Sequence, residues 1–147
     1  MDSHVMEATA NSVETDLDLK VAIEEALWRM DTTRITHPDL EIEVRDGHAT
    51  VSGVVNSPMI QELIEETVRG LPHLAGVTMD LVNDDALKYA AAYALATHPR
   101  TRSIRPGCRV VSHDGHIHVI GNFSPVEVVA AQEVVRGISG VRGVKVN

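Results

Sequence analysis

The segment DGHATVSGVVNS, Asp46 to Ser57, returns as DGHIHVIGNFS, Asp114 to Ser124, and this recurrence constrains the chain more than any other feature. Asp46, Gly47, His48, Val51 and Gly53 reappear 68 residues later as Asp114, Gly115, His116, Val119 and Gly121. The same spacing relates Leu19-Lys20 to Leu87-Lys88 and Ala26-Leu27 to Ala94-Leu95. After a one-residue deletion the spacing is 67, joining Ser57-Pro58 to Ser124-Pro125 and Arg69-Gly70 to Arg136-Gly137. Each Asp-Gly pair stands between two runs able to form strands. It suits a two-residue type I′ turn, in which both residues take φ > 0. Each Ser-Pro pair reads as the N-cap and first residue of a helix. A hairpin followed by a helix is therefore written twice.

The 147 residues then divide into a polar segment, 1–14, expected to be disordered, a first repeat over 15–82 and a second over 83–147. In the first repeat, Leu19, Ile23, Ala26, Leu27 and Met30 share one helical face. Leu40, Ile42 and Val44 alternate with Glu41 and Glu43, as in a half-buried strand, and Ala49 and Val51 continue that pattern after the turn. A helix follows from Pro58 to Arg69, with Gly70 as its C′ residue. A last strand has Val77, Met79 and Leu81 facing inward. The second repeat repeats this order with an Ala-rich first helix, a full capping box at Ser124–Glu127 and a final strand ending at Asn147. The predicted class is α+β: two αββαβ repeats, each a small three-stranded mixed sheet with two helices on one face. Units of this size are marginal alone, since they bury only about 60% of their unfolded surface. Contact between the repeats is expected, and a homo-oligomer is a further option.

Charge supports that expectation. Through Val82 there are sixteen acids against five bases, −11; from Asn83 on, five acids against eight bases, +3. Oppositely charged halves suit electrostatic pairing, with each other or with a partner. A net charge of −8 argues against general nucleic-acid binding, and an aromatic share of 3% supplies no stacking platform for single strands. The single cysteine, Cys108, excludes an internal disulfide. No run approaches the roughly 18 apolar residues of a membrane span. With no export signal visible, the expected compartment is the cytoplasm, or the periplasm if a signal has been removed.

Two clusters carry possible chemistry. On a strand, His116 and His118 project from one face about 7 Å apart, and His113 across the turn could complete a transition-metal site. The alternative is a solvated polar strand face, since the first repeat has only His48, with Thr50 in place of His118. Arg100, Arg102, Arg105 and Arg109 fall within ten residues and can hold phosphate or carboxylate bidentately. The competing reading pairs them with Glu41, Glu43, Glu62, Glu65 and Glu66 of the acidic half. Those glutamates read as a wet surface rather than acid–base machinery, and Ser57 and Ser124 as caps. Cys108, at an inward strand position, is expected to be a buried inert thiol. No catalytic constellation and no cofactor are expected. On the outer sheet face, Val111 and Ile120 replace polar residues of the first repeat, which marks that face for contact with the other repeat or a second chain.

The pattern Gly47-x-x-x-Val51-x-Gly53-x-Val55-x-Ser57, an amphipathic helix and then Leu71-Pro72-His73-Leu74-x-x-Val77 resembles the BON domain. The second repeat resembles it more closely, through Gly115-x-x-x-Val119-x-Gly121 and Ile138-Ser139-Gly140-Val141-Arg142-Gly143-Val144. His73 stands where the family has a glycine, so a differently built turn is expected in the first repeat. The resemblance covers nearly the whole chain after residue 15. It implies a tandem of small αββαβ modules without enzymatic activity, of the bacterial envelope and osmotic-stress type. It implies binding to anionic phospholipid surfaces or another ligand, with Arg100, Arg102, Arg105 and Arg109 as the anion-binding candidates, or alternatively a protein partner. Gly47, Gly53, Gly115, Gly121 and Gly140 are then structural.

Overall fold

The computed structural model describes residues 2–36, 38–104 and 108–147, with the side chains of residues 2–14 outside the description. The chain divides into two compact units, each holding one three-stranded sheet. The first contains α1 (Asp2–Arg29), α2 (Asp31–Thr36), β1 (Leu40–Arg45) and most of β2 (His48–Val55), α3 (Pro58–Arg69) and β3 (Gly76–Asn83), with Val54–Pro58 and Val82–Asn83 falling to the second. The second contains α4 (Asp84–Thr97), β4 (Arg109–His113), β5 (His116–Ile120), α5 (Pro125–Arg136) and β6 (Gly143–Val146). Both sheets place the second strand of the hairpin in the middle, in the orders β1-β2-β3 and β4-β5-β6. The second sheet pairs β4 with β5 antiparallel and β5 with β6 parallel, the α5 crossover supplying the length a parallel connection requires.

The hairpins turn where the Asp-Gly pairs require. Arg45 pairs with His48, and His113 with His116, leaving two-residue loops. Asp46 and Gly47 have φ 52° and 80°, Asp114 and Gly115 51° and 83°, the left-handed pair of a type I′ turn. Alternation then decides what is buried. In the second unit Ile117 and Val119 are fully buried and pack with Leu87, Ala91, Leu95, Ala131, Val135 and Val146. In the first unit Leu19, Ile23 and Leu27 of α1, Ala49 and Val51 of β2, and Ile64 and Val68 of α3 are buried. At α5, the side chain of Ser124 accepts from the Glu127 amide while Glu127 accepts from the Ser124 amide, the full capping box.

Four local features depart from the expectations. Helix α1, expected to begin at Thr15, starts at Asp2, so residues expected as a polar tail are continuous with it. Nothing in residues 2–14 breaks a helix, since they contain neither proline nor glycine. The short α2 replaces an expected β-branched loop. Its Thr33 is buried, and the hydroxyl donates to Leu27 O at 2.6 Å, closing the end of α1. Gly70 is not left-handed; the left-handed residue comes three positions later, at His73 (φ 72°). His73 occupies the same conformation as Gly140 (φ 94°), so the departure from the family's glycine leaves the turn unchanged.

Gly53 shows why its position admits nothing larger. It has φ 142°, and a Cβ there would lie 2.5 Å from Asp39 O. Among the described residues no helix is long and apolar enough to cross a membrane.

Candidate functional site: a cation-rimmed cleft in the second repeat

The arginine cluster is resolved into separate roles. Arg100 forms an ion pair with Glu133 on α5, within its own repeat rather than with the glutamates of the acidic half. The hydrogen bond from Arg100, its charge and the weaker field of Arg136 hold the Glu133 carboxyl below its ordinary range, against a small opposing effect of burial. Arg105 lies outside the described residues. Arg102 and Arg109 are exposed and have no acidic partner among the described residues.

Both line a cleft of about 610 Å³. Its lining takes Ala92, Leu95 and Ala96 from α4, Val110 from β4 and Cys108 just before it, together with Ile104 and Phe123. Lys88 adds a third cation at the rim, its Nζ 4.9 Å from the centre of the Tyr89 ring. The volume falls in the range of small-molecule sites, roughly 300–1,000 Å³, and an apolar lining with a few polar groups at the edge is their usual composition. The described lining holds no carboxylate. Cys108, expected to be buried, is only partly so and faces this cleft.

One buried residue shapes the cleft from beneath. Thr101, 1% exposed, donates its hydroxyl to Leu95 O at 2.7 Å and so ties the segment carrying Arg102 to the end of α4. Thr33 and Leu27 are the same pair 68 residues earlier. The repeat spacing of 68 marks this pair in the sequence.

Across the hairpin His113 is the register partner of His116. His116 lies against Gly143, where a Cβ would sit 2.8 Å from its Nδ1, and His48 lies likewise against Gly76. His118 Nε2 hydrogen-bonds Asn147 Oδ1. Among the described residues, Asp84, His113 and Asp114 bring ligand atoms within 4.8 Å of one another. Asp84, however, is already engaged. Its carboxylate accepts from the Asp114 and Gly115 amides, each at 2.9 Å, and from Ser112 Oγ at 2.7 Å.

That arrangement recurs too. Asp16 accepts from the Asp46 and Gly47 amides at 2.8 Å each. An aspartate from the first helix of each repeat thus holds the hairpin turn, and the anion meets two parallel amides as in a backbone nest. The glycines that resemble the family's are structural in this sense. Gly47 and Gly115 present amides to these aspartates, Gly53 admits the preceding chain, and Gly140 turns toward β6. Gly121 is packed against the Phe123 ring, 3.0 Å from where its Cβ would be.

Comparison with known proteins agrees with this architecture. The BON domain family model matches twice, over residues 15–82 and 83–147. No curated protein matches the chain. Among solved structures, the C-terminal domain of CdsD, the structural protein of the type III secretion system of Chlamydia trachomatis, aligns with TM-score 0.67 and 15% identity, over 89% of this chain. The present chain spans 65% of the length of that one, and the likeness at this identity is one of fold. A second CdsD structure aligns with TM-score 0.41 and 12% identity, over 88% of this chain and 90% of that one. With both repeats matched by one family model and both built as αββαβ units, the chain belongs to the BON domain family and carries two copies in tandem.

Proposed function

We propose that this chain is a non-catalytic binding module whose second repeat engages anionic phospholipid surfaces. One observation carries the reading: Arg102 and Arg109 flank an apolar cleft without an acidic partner among the described residues. A guanidinium offers a planar fork of donors suited to a phosphate, and unpaired cations beside apolar surface match a headgroup lying over acyl chains. The +3 balance of residues 83–147 favours the same partner, whereas the −11 balance before Asn83 repels it. The family is one of binding domains, and its motif brings no catalytic residue to the cleft.

Co-sedimentation with vesicles tests this. The chain is expected to pellet with vesicles containing phosphatidylglycerol, to stay in solution with phosphatidylcholine alone, and to lose binding as salt is raised. Replacing Arg102 and Arg109 by Gln should weaken binding about thirtyfold, at roughly 1 kcal/mol per cation near an anionic surface. Arg100→Gln should change it less, because Glu133 already occupies that guanidinium. Undiminished binding after Arg102→Gln and Arg109→Gln would refute the assignment.

A further inference from the structure

The two repeats build the same cleft and furnish it oppositely. In the first, the corresponding space is about 390 Å³ and is lined by Glu24, Trp28, Asp39 and Leu40, among others. Sixty-eight residues on, Glu24, Trp28 and Leu40 become Ala92, Ala96 and Cys108, all lining the second cleft. Each exchange removes bulk, and the first also removes a negative charge. The second cleft is correspondingly larger, about 610 Å³, with Leu95, Ile104 and Phe123 as apolar wall and cations at the rim.

We infer that the second cleft takes one alkyl chain of a single-chain anionic amphiphile, a fatty carboxylate, and that the first cleft does not. The tail lies among Leu95, Ile104, Cys108 and Phe123, removing methylenes from water, each worth roughly fourfold in affinity. The carboxylate meets Arg102 and Arg109, whose forks bind it bidentately. A cation on the same tail would face these guanidinium groups and be repelled. The inference rests on the anion-binding reading above but adds depth to it, and the two can fail separately.

Cys108 is the only cysteine of the chain and lines the cleft, so its reaction with a thiol reagent reports occupancy. In the full-length protein, dodecanoate below its micelle concentration is expected to slow modification of Cys108 at least fivefold. Decanoate should need about fifteenfold higher concentration for the same effect, given two fewer methylenes. Dodecyltrimethylammonium and glycerol phosphate should give no protection. Ala96→Trp and, separately, Ala92→Glu copy the first repeat at exposed positions of α4 and should abolish protection by dodecanoate. A rise in melting temperature with dodecanoate, absent in both variants, is the independent readout. Equal protection by the cationic amphiphile, or protection retained in either folded variant, would overturn the inference. Vesicle binding without protection by dodecanoate would also overturn it while sparing the surface reading. Protection without vesicle binding would support it and sink the surface reading.

Discussion

At the scale of single residues, conformation and burial explain substitutions that chemistry alone would not. His73 holds φ 72°, a conformation that costs an L side chain about 1–2 kcal/mol and a glycine almost nothing. His73→Gly is therefore expected to stabilise the protein by up to about 1 kcal/mol, after the greater freedom glycine has when unfolded. Gly140→Ala should do the reverse, since its Cβ would stand 3.1 Å from Val82 as well as in the left-handed region. Chemical denaturation of both variants checks the pair, and a destabilised His73→Gly would contradict the conformational account. Asp84 makes the larger contribution. It is 5% exposed and accepts three hydrogen bonds, so Asp84→Ala leaves the Asp114 and Gly115 amides without their partner. Hydrogen bonds to a charged group are worth about 1.5–3 kcal/mol, and a loss of about 3 kcal/mol is expected. Asp16→Ala should cost less, because its bond to the Asp46 amide is exposed.

At the scale of elements, what matters is how one segment is tied to the next. Thr101 links the end of α4 to the segment that carries Arg102, and nothing about a lone threonine in a polar stretch announces that it will be 1% exposed. Thr101→Val keeps the shape and leaves Leu95 O without this donor, so a loss of about 1–2 kcal/mol is expected from melting curves. Binding of anionic vesicles should fall with it as Arg102 loses its footing. The Arg100–Glu133 pair ties the same segment to α5. Because the Glu133 carboxyl is held below its ordinary value near 4.5, the pair favours the folded state above that value. Its contribution is lost as pH falls through the lowered one. Glu133→Gln should flatten that acid-side dependence. Both groups are about half exposed, so the effect is small and weakened by salt. Elements with strong local signals were legible beforehand: the Asp-Gly turns, the Ser124 capping box and the alternation of β5 were each readable from adjacent residues. Helix α2 was not, because its six residues are β-branched and polar and are held by bonds such as that from Thr33 to Leu27 O.

At the scale of the molecule, duplication lets one repeat serve as the control for the other. The same cleft is acidic and narrowed by Trp28 in one copy, and open and cation-rimmed in the other. Each half has its own buried core, although its size makes it marginal. Residues 83–147 alone lack Val54, a buried member of the second core, and are expected to melt with a midpoint below that of the whole chain; an unchanged midpoint would contradict that contribution. By itself the sequence determined the duplication, the αββαβ order, the turns, the caps and the inward faces. These follow from periodicity and from side chains acting on backbone within a few residues. The tertiary structure decided that Asp16 and Asp84 hold turns 30 residues away, and that Arg100 is spent on Glu133 while Arg102 and Arg109 have no acidic partner among the described residues. Such pairings depend on where folded elements bring distant residues together, and a chain's local preferences contain no record of those distances.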